Sequence, residues 1–374
     1  WAHLLNDGAS NYLPGVLPAI LIALGEPVRL AGALMAALII GQALQPATGW
    51  LADRVGGRSI TTLGLLFSSI GGALLGIAPS TGVLVALLLV IGAGGAAFHP
   101  QALAGVRTMV SARSAFYTAV FLVGGELGRG LWPTLASLIV SGLGLRWLWL
   151  VGVPGILTVP WLFAMAPRMA RRARNASRIA WRQHSRPMSV LIGYRGIQAF
   201  TTYVLVTFIP IMWHLRGGSL VSGATIITTM ITAGIIGNLL GGHMTDRIGC
   251  RPVLIGSALV PPAVIVPILY LPGAWVWVFA GLAGIGIFLS GSTTVLVGQD
   301  IFPENRSMGS GIALGLGNAI GSVLVLIVGL GVHDTTGVLV VFSVVSGLSI
   351  LAAFLTFAFP APLMRGRAAP AASP

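Results

Sequence analysis

The sequence predicts an all-α membrane protein, with twelve transmembrane helices in two six-helix bundles related by pseudo-two-fold symmetry. Three observations carry that prediction. The chain is 56% apolar and 8% charged, with a mean hydropathy of +0.94, where a soluble domain of this length carries about 25% charged residues. A packed core cannot absorb that apolar excess, whereas a bilayer can. Apolar runs of about 20 residues, long enough to cross hydrocarbon as helices, recur from end to end. Finally, GWLADRVGGRS (49–59) returns as GHMTDRIGCRP (242–252), so that Asp53, Arg54, Gly56 and Arg58 reappear as Asp246, Arg247, Gly249 and Arg251, 193 residues on. A charged turn written twice, half a chain apart, marks two homologous halves.

Breaks at charges, prolines and glycine clusters place the spans at about 2–24, 30–52, 59–78, 82–108, 114–141, 145–166, 188–214, 219–245, 251–271, 274–299, 307–331 and 336–360. The long polar stretch 167–187 separates six from six. The expected organisation is an N-terminal bundle at 1–166, a basic linker at 167–187, a C-terminal bundle at 188–365 and a disordered tail at 366–374. The 52 glycines suit such helices, because small residues let backbones approach in lipid.

All 21 basic residues are arginine, and their positions set the orientation. With both termini inside, sixteen arginines fall in inner loops and the tail, and only Arg29, Arg146 and Arg216 fall outside. That is the positive-inside asymmetry of a multi-pass plasma-membrane protein with cytoplasmic ends. The net charge of +13 is therefore topological. Its expected partners are anionic lipid headgroups rather than nucleic acid. The lone Cys250 excludes an intrachain disulfide.

Both charged turns lie in short inner loops after the second span of each half. Gly49, Leu51, Asp53, Arg54, Gly56 and Arg58 match the signature G-x-L-x-D-R-x-G-x-R, and the second copy keeps all but the Leu, replaced by Met244. The chain thereby resembles the major facilitator superfamily, over nearly its whole length. HLLNDGASNYLPGVLPAIL, GAGGAAFHP and FLVGGELGRGLWP, with LQPATGWLADR, look like the fosmidomycin-resistance branch of drug-efflux transporters. The chain departs from that branch at Glu126 and Arg129, and carries Trp132 where superfamily antiporters usually have Gly before Pro133. The resemblance implies the major facilitator fold, alternating access and a monomeric architecture without cofactor, powered by a proton gradient. It also implies that Asp53, Arg54 and Arg58, with Asp246, Arg247 and Arg251, form a conformational latch of individually weak ion pairs.

Ionisable side chains inside spans are costly enough to need a reason. In the first span His3, Asp7, Ser10 and Asn11 fall at helical spacing and make one polar stripe, followed by Pro14, Gly15 and Pro18, which mark a bend. In the seventh, Arg195, Gln198 and Thr202 make a matching stripe, with Tyr194 and Tyr203 alongside. Glu126 and Arg129 are three apart on the fifth span and can touch, as a proton-switchable pair or as a permanent structural ion pair. Asp7 is either a proton carrier or a helix N-terminal cap. His99, before Pro100, either relays protons or donates one hydrogen bond in a kinked helix. Gln45 and Asn238 are repeat-equivalent amides that would line a cavity.

The expected function is proton-coupled efflux of small amphipathic or anionic compounds, with Asp7, Glu126, His3 and His99 handling protons. Arg129, Arg195, Gln198, Tyr194, Asn11, Gln45 and Asn238 would meet the substrate. The alternative is a proton-coupled importer of a small organic anion. No metal-ligand spacing and no nucleotide loop with strand context occurs, which disfavours a membrane enzyme. A receptor without transport has no need of two symmetric polar stripes.

Overall fold

The computed structural model describes residues 1–45, 47–48, 51–52, 56–109, 114–167, 181–302, 309 and 312–365. Every element among them is helical, and eight helices are long and apolar enough to cross a membrane. The chain forms two compact units. One comprises Trp1–Arg174, Val206–Thr228 and Leu326–Thr335; the other comprises Asn175–Leu205, Thr229–Val325 and Thr336–Pro374.

The first span is not one rod. It breaks into α1 (Ala2–Asn11) and α2 (Leu13–Leu24) at the fully buried Tyr12. Pro14 supplies no N–H and crowds the carbonyl four residues back, so the ladder cannot continue through Ser10. The side chains repair the gap: Asn11 Nδ2 donates to the Asp7 carbonyl at 2.9 Å, and Tyr12 OH donates to the Gly72 carbonyl at 2.5 Å. Asp7 lies inside α1, whose N-cap is Trp1, so the reading of Asp7 as a helix cap is corrected.

Around α1 in this unit lie α3 (Leu30–Gln42), α4 (Gly57–Leu74), α5 (Thr81–Met109), α6 (Ser114–Leu143) and α7 (Val153–Met165). The pairs α4–α5 and α1–α6 pack most extensively. Glycine permits the second of these. A Cβ at Gly128 of α6 would meet the Leu4 carbonyl oxygen and come within 2.8 Å of the Gly8 backbone nitrogen of α1, so the two backbones touch. The same unit holds the end of α8 (Trp181–Leu215) and the start of α9 (Leu220–Ile248). There Thr228 Oγ1 donates to the Gly130 carbonyl at 2.5 Å, which leaves Thr134 Oγ1 to donate to Thr228 Oγ1 at 2.6 Å.

The second unit is built on α8, α9, α10 (Cys250–Tyr270), α11 (Trp275–Phe288), α12 (Ser290–Ile301), α13 (Gly317–Gly329) and α14 (Thr335–Leu355). Its core gathers Leu191, Leu254, Val297, Phe302 and Ala352, and the chain after α14 returns Phe359 and Met364 to it. The described part of α8 already includes Trp181–Pro187, ahead of the boundary at 188 that the sequence places, and the long Arg182 and Arg186 stems can lie along its surface. The tenth span is interrupted at Leu289 between α11 and α12, and the eleventh opens with a π turn at Ile312–Leu316.

The α1–α6 contact makes a direct prediction. Gly128→Leu should destabilise the detergent-purified protein by about 2 kcal/mol or more through overpacking, read as a lowered melting temperature. Gly142→Leu, on the same helix with nothing within 4 Å of its Cβ position, should leave the melting temperature unchanged.

Candidate functional site

Three helices of the first unit converge on one carboxylate. The Asp7 side chain of α1 is 7% exposed, and its two oxygens meet different partners. His99 Nε2 of α5 lies 2.8 Å from Oδ1, and His3 Nε2 lies 3.4 Å from Oδ2. Asn6 Nδ2 donates to Oδ1 at 3.0 Å. From α6, Arg129 Nε approaches Oδ2 at 3.8 Å, and its Nη2 is paired with Glu126 Oε1. His3 is clamped between rings, stacked on Phe121 at 4.0 Å and on Phe98 at 5.9 Å. The cluster is open on one side, where His99 is 28% and Arg129 36% exposed.

The hydrogen bonds determine where protons reside. His99 Nδ1 faces the Gly95 carbonyl at 2.7 Å and His3 Nδ1 faces the Phe121 carbonyl at 2.6 Å. A carbonyl only accepts, so both Nδ1 atoms carry hydrogen and both Nε2 atoms turn to Asp7. At 2.8 Å, an unprotonated Nε2 and an ionised Oδ1 would set lone pair against lone pair. One proton must therefore lie between them, on His99 as an imidazolium or on Asp7 as the acid. Glu126 Oε2, on the far side of Arg129, is buried without a hydrogen-bond partner among the described residues.

The ligand-type atoms of His3, Asp7 and His99 lie within 4.8 Å of one another. A tetrahedral zinc would hold such atoms about 3.4 Å apart, from bond lengths of about 2.0–2.1 Å. The 2.8 Å contact is instead that of a shared proton, and Arg129 already supplies a fixed cation at the edge.

The second unit has its own polar centre. Gln198 Nε2 donates to Ser257 Oγ at 2.8 Å and to Ser290 Oγ at 3.2 Å, while Tyr194 OH donates to the Leu254 carbonyl at 2.7 Å. Gln198 and Tyr194 are buried, and their hydrogen bonds tie α8 to α10 and α12. Arg195, beside them, is half-buried, and its Nε donates to the Ala313 carbonyl at 3.2 Å. Asn238 Oδ1 accepts from the Ser292 backbone N–H at 3.1 Å, joining α9 to the first turn of α12. Gln45 is half-buried near the end of the second span.

The Major Facilitator Superfamily profile matches residues 1–313. The chain belongs to the Major Facilitator Superfamily. It is 25% identical over 387 residues to the uncharacterized MFS-type transporter YfnC of Bacillus subtilis (strain 168), covering 96% of this chain and 90% of that one. It is 23% identical over 373 residues to the fosmidomycin resistance protein of Escherichia coli (strain K12), covering 95% and 90%. Among solved structures, a bacterial homologue of the human lysosomal transporter Spinster, inward-facing and occupied, superposes with a TM-score of 0.80 at 17% identity, covering 95% of this chain and 94% of that one. The protein is thus a multi-pass secondary transporter of the superfamily with its all-α fold, not an enzyme.

Among the described residues, the two copies of the superfamily's repeated turn share the backbone of their glycine and the reach of the arginine after it. Gly56 (φ 106°) and Gly249 (φ 90°) take left-handed backbone that other residues avoid, and each starts the next helix. The arginine two residues later then reaches the end of its own unit's last span. Arg58 stacks over the Phe163 ring at 4.4 Å, and Arg251 over Phe357 at 5.4 Å. Arg251 also donates to the Thr356 and Phe359 carbonyls at 3.3 and 3.4 Å, at a C-terminal helix end where carbonyls lack partners. Asp246 and Arg247 are exposed, and no ion pair joins them to Arg251 among the described residues. Arg251 thus staples its turn to the chain end of the same unit. Asp53 and Arg54, the linker at 168–180 and the tail at 366–374 lie outside the described residues.

Several members of these centres escaped sequence reading. The Gly95 and Phe121 carbonyls carry no sequence signal, being backbone, and Ser257 and Ser290 are dispersed among apolar runs. Asn6 alone was within sight, next to Asp7. Removing the staple gives a second prediction: Arg251→Gln should cost about 1–2 kcal/mol through lost carbonyl bonds and ring contact, seen as a lower melting temperature. Phe357→Leu should show a smaller drop, and an unchanged midpoint in both variants would remove the staple's role.

Proposed function

We propose that the protein is a proton-coupled exporter of small amphipathic or anionic compounds in a bacterial plasma membrane, working by alternating access with both termini cytoplasmic. The shared proton between Asp7 and His99 carries this reading, because a buried carboxylate held by two imidazoles is a device for exchanging one proton. The efflux direction is supported by the fosmidomycin resistance protein among its relatives, and the inner orientation by the arginine asymmetry.

In this mechanism the resting cluster holds one proton between Asp7 and His99, with Arg129 balancing Glu126 and facing Asp7. A second proton, entering from the open side, neutralises a carboxylate that Arg129 had been opposing. The freed guanidinium is then available to an anionic group of the compound, and release of the proton restores the pair. Asp7 rather than Glu126 is the main carrier, since it alone touches both imidazoles.

Import of an organic anion with its proton is the second reading. It is favoured by Trp132, which stands in place of the antiporters' usual Gly. A Cβ at Gly8 would lie 2.7 Å from Trp132 Cγ, and the indole Nε1 donates to the Val151 carbonyl at 3.2 Å, so this ring is locked against α1.

Everted membrane vesicles carrying a respiration-driven pH gradient test the reading with a panel of amphipathic and anionic compounds. A transported compound should partly collapse the gradient in the wild type. Asp7→Asn, which cannot share a proton with His99, should lose at least about tenfold of that response, equivalent to about 1.4 kcal/mol. Glu126→Gln should retain most of it. Gradient collapse undiminished in Asp7→Asn would remove the coupling claim, and compound entering right-side-out cells with protons would reverse the direction.

A further inference from the structure

The seventh span contains a cation with no acid partner among the described residues. The window of α8 within His184–Leu215 is 83% buried, the most enclosed of the eight spanning helices. Between Tyr194 and Met212, only Arg195, Thr202 and Tyr203 are more than slightly accessible. Positions seven and eight apart share one face of a helix, so these three form a single strip on a helix otherwise wrapped in protein. A strip bearing a guanidinium, a hydroxyl and a phenol borders water rather than lipid chains.

Arg195 is held in a fixed pose on that strip. Its Nε donates to the Ala313 carbonyl, which belongs to the π turn Ile312–Leu316. Widening of a helix into a π turn displaces the regular ladder and makes a carbonyl available to a side chain. The approach is close: a Cβ on Gly317 would lie 2.5 Å from Arg195 Cβ. With Nε engaged by backbone, the guanidinium presents its Nη1 and Nη2 edge, which has no carboxylate or other acceptor among the described residues. Thr202 Oγ1 is already donating to the Gln198 carbonyl at 2.9 Å, so recognition on this strip falls to Arg195.

We propose that the Nη edge of Arg195 binds an oxyanion, a carboxylate or phosphoryl group, of the transported compound. The two parallel N–H bonds of that edge match two oxygens of such a group, and a guanidinium stays charged in this setting where an ammonium adapts poorly to the same fork. The proposal rests on the transporter reading but not on its proton coupling, which is carried by Asp7 in the other unit. An anionic lipid headgroup offers the same phosphoryl chemistry, and the test separates the two sources.

The protein, reconstituted in phosphatidylcholine nanodiscs, is heated with inorganic phosphate or acetate against chloride at equal ionic strength. Phosphate and acetate should raise the wild-type melting temperature in a saturable way, Arg195→Lys should keep part of that rise, and Arg195→Gln should lose it. A rise of equal size in Arg195→Gln, or none in the wild type while Arg195→Lys and wild type melt alike, would overturn the proposal. In discs containing phosphatidylglycerol the phosphate response should persist; its disappearance there would assign the site to lipid and overturn the assignment to a transported compound. In the vesicle assay, Arg195→Gln should raise the half-saturating concentration of anionic compounds at least tenfold and leave that of uncharged ones within twofold. Equal effects on both would also overturn it. Because Asp7→Asn is scored separately by gradient collapse, failure of proton coupling and failure of the anion site give different patterns.

Discussion

A carboxylate inside a bilayer has to be compensated by groups that the protein itself brings, and in this chain that demand falls on Asp7. Its compensators come from three helices: His3 and Asn6 from α1, His99 from α5 and Arg129 from α6. Those helices must therefore meet within hydrogen-bonding distance of one point. The bare backbone contact at Gly128 and the break of the first span at Tyr12 are consequences. Without the break, α1 and α2 could not both face α6. Without the glycine, α1 would stand off far enough for Arg129 to lose Asp7. Fixing both imidazoles through their Nδ1 atoms completes the arrangement, since a ring free to flip could satisfy Asp7 with either nitrogen and the single shared proton would have no defined place.

Much of this was legible in the sequence because periodicity carries local geometry. The spacing of His3, Asp7, Ser10 and Asn11 defines a stripe before any fold is known, and Glu126 with Arg129 three residues on can only be neighbours on a helix. The halves were legible through the repeated turn. What periodicity cannot give is contact between residues far apart in the chain. His99 read first as a kink-stabilising donor, and it does donate to Gly95; its other nitrogen meets Asp7, 92 residues away. The repeated arginines read as members of a latch, and nothing in the linear pattern pointed Arg251 to the carbonyls more than 100 residues later that it reaches. Side chains with long stems choose among distant partners by tertiary packing, and a linear pattern does not rank those choices.

The two units keep the same scaffold and divide the chemistry. Both use a left-handed glycine to turn into the third or ninth span, and both staple that turn to an aromatic ring of the last span. The stripes on the first and seventh spans, repeat partners by position, have diverged. The first unit gathers Asp7, His3, His99 and Glu126 at its stripe; the second has a hydroxyl-rich network around Gln198 and an arginine whose Nη edge has no acid partner among the described residues. Duplication preserves what folds each half, while the membrane-embedded ionisable residues, each costly to insert, are retained only where one half has a use for them.

That division has an energetic consequence for direction. If one proton enters at Asp7 and a monoanion leaves from Arg195, two elementary charges move the same way in each cycle. A membrane potential contributes about 2.3 kcal/mol per charge per 100 mV, so the exporter would draw about 4.6 kcal/mol per 100 mV from the potential alone. An importer taking the proton and the anion together moves no net charge and draws only on the concentration gradients. Two fixed arginines and two carboxylates, one pair member of each in contact at Glu126 and Arg129, balance one another, so the proton shared by Asp7 and His99 leaves the embedded groups net positive when no anion is bound. Loading with a proton and loading with an anion then have opposite electrostatic effects on the protein, and a carrier that alternates between them avoids ever crossing the membrane with both compensations missing. Exchange of the two loads is the cycle in which that charge pattern does most of the driving.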